Sequence, residues 1–394
     1  MEETKMLKHY CIWQFKKWWP MLLIFSIVLT VIFSYAILSI PLTQRVSQDG
    51  PDYSITNLFS QMASYIHAFH YFPALAMTFV MPLFIFHYRT KRQSVDTYYQ
   101  AAYAPTTIKR ARLLIGLGIV VAAFIASALL GTTLFLLRYF GTPAVQVADR
   151  YTLYRVAVNW GYYVLAFLIG LLTVVAQYLI NCFLVSLGDY VLDQIFLLIF
   201  GNAFLFLFIT APMVYLSVLA RSNDLFFNIV NNILYYSLGP IAPSALLVST
   251  IPSLAMGNAL EGTYWVNQII STLLYFGFAA ACCVFNLLMP DPSGEHADKA
   301  GARNKAIALI PHGAGAVIGF LVACLGGLYG VSSALFIIGF LPIFLFIMYG
   351  VVYYAILALW RHGFKIGKQD LVCYLSVIGS VLLFISFAMV VAPR

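Results

Sequence analysis

The feature that most constrains this chain is an alternation. Apolar runs of about 20 residues or more, enough to cross the hydrocarbon of a bilayer, are separated by short segments where basic residues gather. Nine such runs can be counted, at roughly 20–41, 68–88, 113–137, 161–187, 195–220, 265–289, 307–328, 332–358 and 371–391. Each is nearly free of charge. Runs of this length in lipid must be helical, because backbone N–H and C=O groups find no water there. Only 9% of the chain is charged and 62% is hydrophobic, against roughly 25% charged in a soluble domain. The expected fold is all-α: a polytopic membrane helical bundle of about nine transmembrane spans.

The basic residues set the expected orientation. With the N-terminus cytoplasmic, sixteen Lys and Arg fall in inside segments (1–19, 89–112, 290–306, 359–370). Six fall outside: Arg45, Arg138, Arg150, Arg155, Arg221 and Arg394. That bias follows the positive-inside rule, so the net charge of +8 reads as topology and not as nucleic-acid binding. Residues 225–256 are apolar but broken by Asn228, Asn231, Asn232, Gly239, Pro240, Pro243 and Pro252. Counting them as a span would erase the bias, so they are expected to be non-spanning, as broken helices at the outer face. Residues 1–19 place Leu7, Cys11, Phe15 and Trp18 on one helical face and Lys5, Lys8 and Lys16 on another. They are expected to form an amphipathic helix in the interface.

Several chemistries lack their residues. A P-loop needs Gly-x4-Gly-Lys-Ser/Thr, and Gly363 to Gln369 has neither that spacing nor the hydroxyl. His67 and His70 share a helix face without the adjacent glutamate of a zincin, and are expected to be interfacial. No catalytic residue and no metal site is assigned. The six cysteines lie mostly within apolar runs and read as packing residues. Gln177 and Asn181 form a polar i, i+4 pair in the fourth run. They are candidates for lining a path, or for bonding a neighbouring helix.

Segment 88–112 carries the most information. It opens with a basic cluster, continues through a helix-prone stretch from Ser94 to Tyr103, and reaches Pro105 before the third run. Such a segment suits a short helix on the cytoplasmic surface, able to pass a push from a soluble partner to two spans. The other reading is a basic anchor loop.

This segment resembles the permeases of type-2 ABC exporters, most of all the long Gram-positive subgroup with extra C-terminal spans. The matching positions are Lys91, Arg92, Asp96, Tyr98, Pro105 and Lys109–Arg110. Two features depart from the pattern: Ala104 replaces the usual Leu, and the basic residues come later after the proline. A second likeness is the acid-x-Ala-Gly element at Asp298, Lys299, Ala300 and Gly301.

The resemblance implies an elbow helix at 1–19, a six-span exporter domain at 20–289 and a cytoplasmic loop at 290–306. Three additional spans follow at 307–394. Within the exporter domain it implies a coupling helix at 94–107, with Tyr99 among its contacts, and broken extracellular helices at 225–256. It implies a permease that docks separate ABC ATPase subunits and pairs with a second copy or a sister permease. This chain would bind no cofactor, ATP and Mg being held by the partner ATPase. The location implied is a bacterial plasma membrane, with the lipid bilayer as the remaining partner and no nucleic acid. A non-transporting scaffold or sensor subunit of a resistance complex would share this layout.

Overall fold

The computed structural model describes residues 2–39, 42–47, 56–87, 105–148, 151–155, 160–188, 191–203, 243, 262–288, 350–359, 367–368 and 370–375. The helices are α1 (Glu2–Ser39), α2 (Thr56–Phe86), α3 (Pro105–Gly141), α4 (Trp160–Ser186), α5 (Val191–Ala203), α6 (Gly262–Leu288) and α7 (Gly350–Leu359). Four described stretches are long and apolar enough to cross a membrane: Lys8–Ser39, Thr106–Gly141, Tyr163–Ser186 and Ile269–Leu288. The protein is a helical, membrane-embedded chain. The stretch 225–256, Pro243 apart, lies outside the described residues, as do 290–306 and the run at 307–328.

The chain divides into two compact units, Met1–Phe183 with Ala242–Asp291, and Leu184–Ile241 with Pro292–Arg394. In the first unit, α1 and α3 lie side by side and parallel. Tyr10 meets Arg112 near one end, and Phe33 meets Gly131 towards the other. Helix α2 runs against both: Trp18 of α1 packs edge-on to Phe84, with ring centroids 6.1 Å apart, while Phe33 stacks on His70. Helix α4 runs against α3, since Tyr178 bonds the Leu113 carbonyl and Tyr163 bonds Thr132. Helix α6 runs the same way as α4. Its Tyr275 reaches Gln177 and its Phe285 reaches Phe183.

The amino-terminal stretch departs from expectation. Residues 2–19 form no separate helix; they are the first turns of α1, which continues through Pro20. The reason is lateral packing. Tyr10, Ile108 and Ala111 form a buried cluster where α1 meets the start of α3. Gln14 Nε2 donates to the Tyr10 hydroxyl at 2.7 Å, and Trp18 Nε1 donates to Gln14 Oε1 at 3.1 Å. Helices α1 and α3 have 38 and 37 residues. At about 1.5 Å per residue each is roughly 55 Å long, against a hydrocarbon thickness of about 30 Å. Both therefore extend beyond the apolar layer or tilt strongly. Pro105 is the first helical residue of α3, so 105–107 belong to this long helix. A proline fits there because its fixed φ suits the first turn and its missing N–H would have had no partner.

A small antiparallel sheet joins two connections at the opposite end. Strands β1 (Thr43–Ser47), β2 (Val145–Ala148) and β3 (Tyr151–Arg155) take the order β1-β3-β2. Thr43 pairs with Arg155 and Ser47 with Tyr151, while Val145 pairs with Tyr154. The all-α reading did not anticipate this sheet. Beneath it Phe33, Ile37, Leu42, Phe135, Tyr139 and Tyr163 form a buried cluster, in which the Phe135 and Tyr163 rings stack at 6.1 Å.

In the second unit, Gly201 of α5 leaves room for the Leu184 side chain. Gly350 of α7 likewise admits the Tyr374 hydroxyl, and Tyr353, Leu357 and Tyr374 form a buried cluster. Asp370 Oδ2 accepts the Gly367 N–H at 2.8 Å, closing the turn ahead of the helical stretch 370–375.

Close approach in the first unit depends on glycine. A Cβ at Gly131 would strike the ring of Phe33, which is only 1% exposed and cannot swing aside. Overpacking of this kind costs about 1–3 kcal/mol. Gly131→Ala should therefore lower the unfolding midpoint of the protein in lipid nanodiscs. In a Phe33→Ala background the same change should be nearly neutral; an equal loss in both backgrounds would mean the ring is not the obstacle.

Candidate functional site

Three groups of buried polar side chains cross-link the helices of the first unit. The first lies at the amino-terminal end. Arg112 of α3 is 4% exposed. Its Nη1 donates to the Ile85 carbonyl at 3.0 Å, and its Nε donates to the Tyr10 hydroxyl at 3.3 Å. Ile85 is the penultimate residue of α2, where carbonyls have no partner further along the helix. A guanidinium there both satisfies one of them and complements the negative end of the helix dipole. One side chain thus fastens α1, α2 and α3 together. Arg138 serves the other end in the same manner, donating from Nη1 to the Ile37 carbonyl near the end of α1.

The second group is a directed chain of hydrogen bonds. The Tyr275 hydroxyl of α6 donates to Gln177 Oε1 at 3.0 Å, with the Thr173 carbonyl as a more distant acceptor at 3.5 Å. Gln177 Nε2 donates to Asn181 Oδ1 at 3.0 Å. Asn181 Nδ2 donates across to α2, to the Thr78 carbonyl at 3.0 Å and its Oγ1 at 3.2 Å. The Thr78 hydroxyl in turn donates to the Leu75 carbonyl at 2.6 Å. The four side chains are buried, and each links to the next across α6, α4 and α2. The i, i+4 spacing of Gln177 and Asn181 allows the two amides to meet on one face of α4.

The third group surrounds His70, which is buried within the bundle. Its ring lies between Phe33 and Phe124, with centroids 4.6 and 4.2 Å away, and its Nε2 is 2.7 Å from Ser127 Oγ. Ser127 Oγ also donates to the Phe124 carbonyl at 3.0 Å. Which of His70 and Ser127 donates on this contact is set by the imidazole tautomer.

The residues singled out in the sequence have different fates. Lys91, Arg92, Asp96, Tyr98 and Tyr99 lie outside the described residues, as do Asp298, Ala300 and Gly301. Pro105 opens α3. Arg110 is exposed, whereas Lys109 is buried within electrostatic reach of Cys182. Adjacent helix positions differ by about 100°, so the Lys-Arg pair divides between bundle and surface. Lys109 offers little surface to a docking partner in this arrangement. Gln177 and Asn181 are buried and joined to neighbouring helices. Sequence reasoning missed Arg112 as a clamp, treating it as one more basic flank. Its place seven residues into the helix, just where the apolar run begins, was the available signal. Tyr275 carried no signal of its own.

Among the described residues no group of three or more His, Cys, Asp or Glu side chains is arranged to hold a metal ion.

The bonds of the second group can be weighed. Tyr275→Phe, Gln177→Leu and the double variant should show a coupling of about 0.6 kcal/mol, and no more than about 1.7, in unfolding from lipid nanodiscs. A coupling near zero would mean that Tyr275 is held by the Thr173 carbonyl instead.

No protein-family model matches the chain, and neither a curated protein nor a solved structure matches it.

Proposed function

We propose that this chain is the membrane-spanning permease subunit of an ATP-driven ABC exporter in a bacterial plasma membrane. The observation that carries the reading is the Arg112 clamp. Segment 88–104 connects the end of α2 to the start of α3, and Arg112 ties those two ends to each other and to α1. A soluble partner pressing on that segment would move three helices as one. The basic and aromatic motif Lys91, Arg92, Asp96, Tyr98 and Tyr99 is the docking surface in this reading, with exposed Arg110 beside it. ATP and Mg belong to the partner ATPase, and a second permease copy or a sister permease completes the assembly.

The helix directions are compatible with the proposed topology. Helices α4 and α6 run the same way, so an odd number of crossings separates them. One crossing by 195–220 suffices, and a second full crossing by 225–256 would have set α6 against α4. This supports non-spanning helices at 225–256.

Co-purification of the full chain with a Walker-motif ATPase is the first test. Asp96→Ala with Tyr98→Ala should then abolish the stimulation of that ATPase by the permease; unchanged stimulation would sink the coupling role. ATP-dependent export from inverted vesicles separates a permease from the scaffold or sensor reading, which predicts complex formation without export.

A further inference from the structure

The face of α6 that turns towards α4 holds polar atoms that no described residue satisfies. Asn286 is fully buried, and among the described residues neither its Nδ2 nor its Oδ1 has a hydrogen-bond partner. Thr272 is 7% exposed, and its buried Oγ1 is also unpartnered among the described residues. At about 100° per residue, Thr272, Tyr275 and Asn286 project within about 60° of one another. Tyr275 fixes where that face points, because it reaches Gln177 and Thr173 on α4. Phe285 meets Phe183 beside Asn286. An amide buried in an apolar setting with nothing to bond costs more than one left in water. A fully apolar side chain would serve a permanently closed seam better.

We infer that the seam between α4 and α6 is a site for the uncharged, hydrogen-bonding head of an amphiphile, latched shut by the Tyr275–Gln177 bond. Lys109 of α3 lies within electrostatic reach of Cys182 on α4 and already has an interaction of its own. Thr272, Tyr275, Gln177 and Asn286 are neutral, and Asn286 offers one donor group and one acceptor. Together they match an amide or a sugar hydroxyl better than a phosphate or an ammonium. Breaking the Tyr275 latch would open the face to Asn286. The inference deepens the exporter reading by naming a class of cargo, and as a cargo site it rests on that reading.

The chain carries its own reporter. Cys282 lies on the same face of α6, one turn before Asn286, and is 2% exposed. Thiols are modified as thiolates in water and stay inert in apolar surroundings. With the full chain in lipid vesicles, a water-soluble methanethiosulfonate should modify Cys282, read by peptide mass spectrometry. Asn286→Leu and, separately, Thr272→Val should slow that reaction, the former by about tenfold, the scale of a lost hydrogen-bonding group. Tyr275→Phe should speed it. Decyl maltoside below its micellar concentration should protect Cys282, and decyl sulfate should not. An unreactive Cys282, or rates indifferent to both sealing variants, would overturn the site; equal protection by the two amphiphiles would overturn the ligand class. A seam that reacts and is protected as expected, yet ignores ATP and a co-purified ATPase, leaves the site standing and removes the exporter reading.

Discussion

A polar group within hydrocarbon must find its partner inside the protein, and the first unit is organised around that requirement. Arg112 cannot lie beside lipid, so it is driven against the carbonyl end of α2 and the hydroxyl of Tyr10. Gln177 and Asn181 cannot face lipid either, and they draw α6 and α2 onto α4. The apolar residues do not discriminate in this way, because a leucine is equally at home against lipid or against another leucine. Exposed Leu129, Leu137 and Val164 illustrate the point: their surface needs no protein partner in a bilayer. Helix pairing is therefore set by a minority of polar contacts and by glycines that permit close approach.

Those contacts also fix direction. The pairs Tyr10–Arg112 and Phe33–Gly131 make α1 and α3 parallel, and the Phe33–His70 stack turns α2 against them. The connections following α1 and α3 then emerge at the same end. That coincidence lets residues far apart in sequence pair as β1 and β3. The sheet is thus a consequence of helix direction, with the antiparallel ladder satisfying backbone groups that an irregular loop would leave to water.

Much of the helical layout was legible in the apolar runs at 20–41, 113–137, 161–187 and 265–289, because lipid imposes one secondary structure on any long apolar segment. Their ends were less legible. The runs mark where hydrocarbon begins, while α1 and α3 continue through Lys8–Trp19 and Thr106–Arg112 because those turns pack on each other. The sequence marked His70 as polar but not its partners, two aromatic rings and a serine supplied by other helices. The alternation Val145–Gln146–Val147 was a strand signal too short to stand out without its partner.

The sequence by itself determined that this chain lives in a membrane as a bundle of helices, since no other structure hides so many consecutive apolar residues and their backbone polar groups. It also marked Gln177 and Asn181 as a polar pair on one helix face. Only the tertiary structure decided what those groups touch. It set Tyr275 against Gln177, divided Lys109 from Arg110 between bundle and surface, made Arg112 a clamp on three helices and left Asn286 buried with no hydrogen-bond partner among the described residues. Local sequence specifies which face of a helix a side chain occupies. Which helix meets that face depends on residues more than 100 positions away.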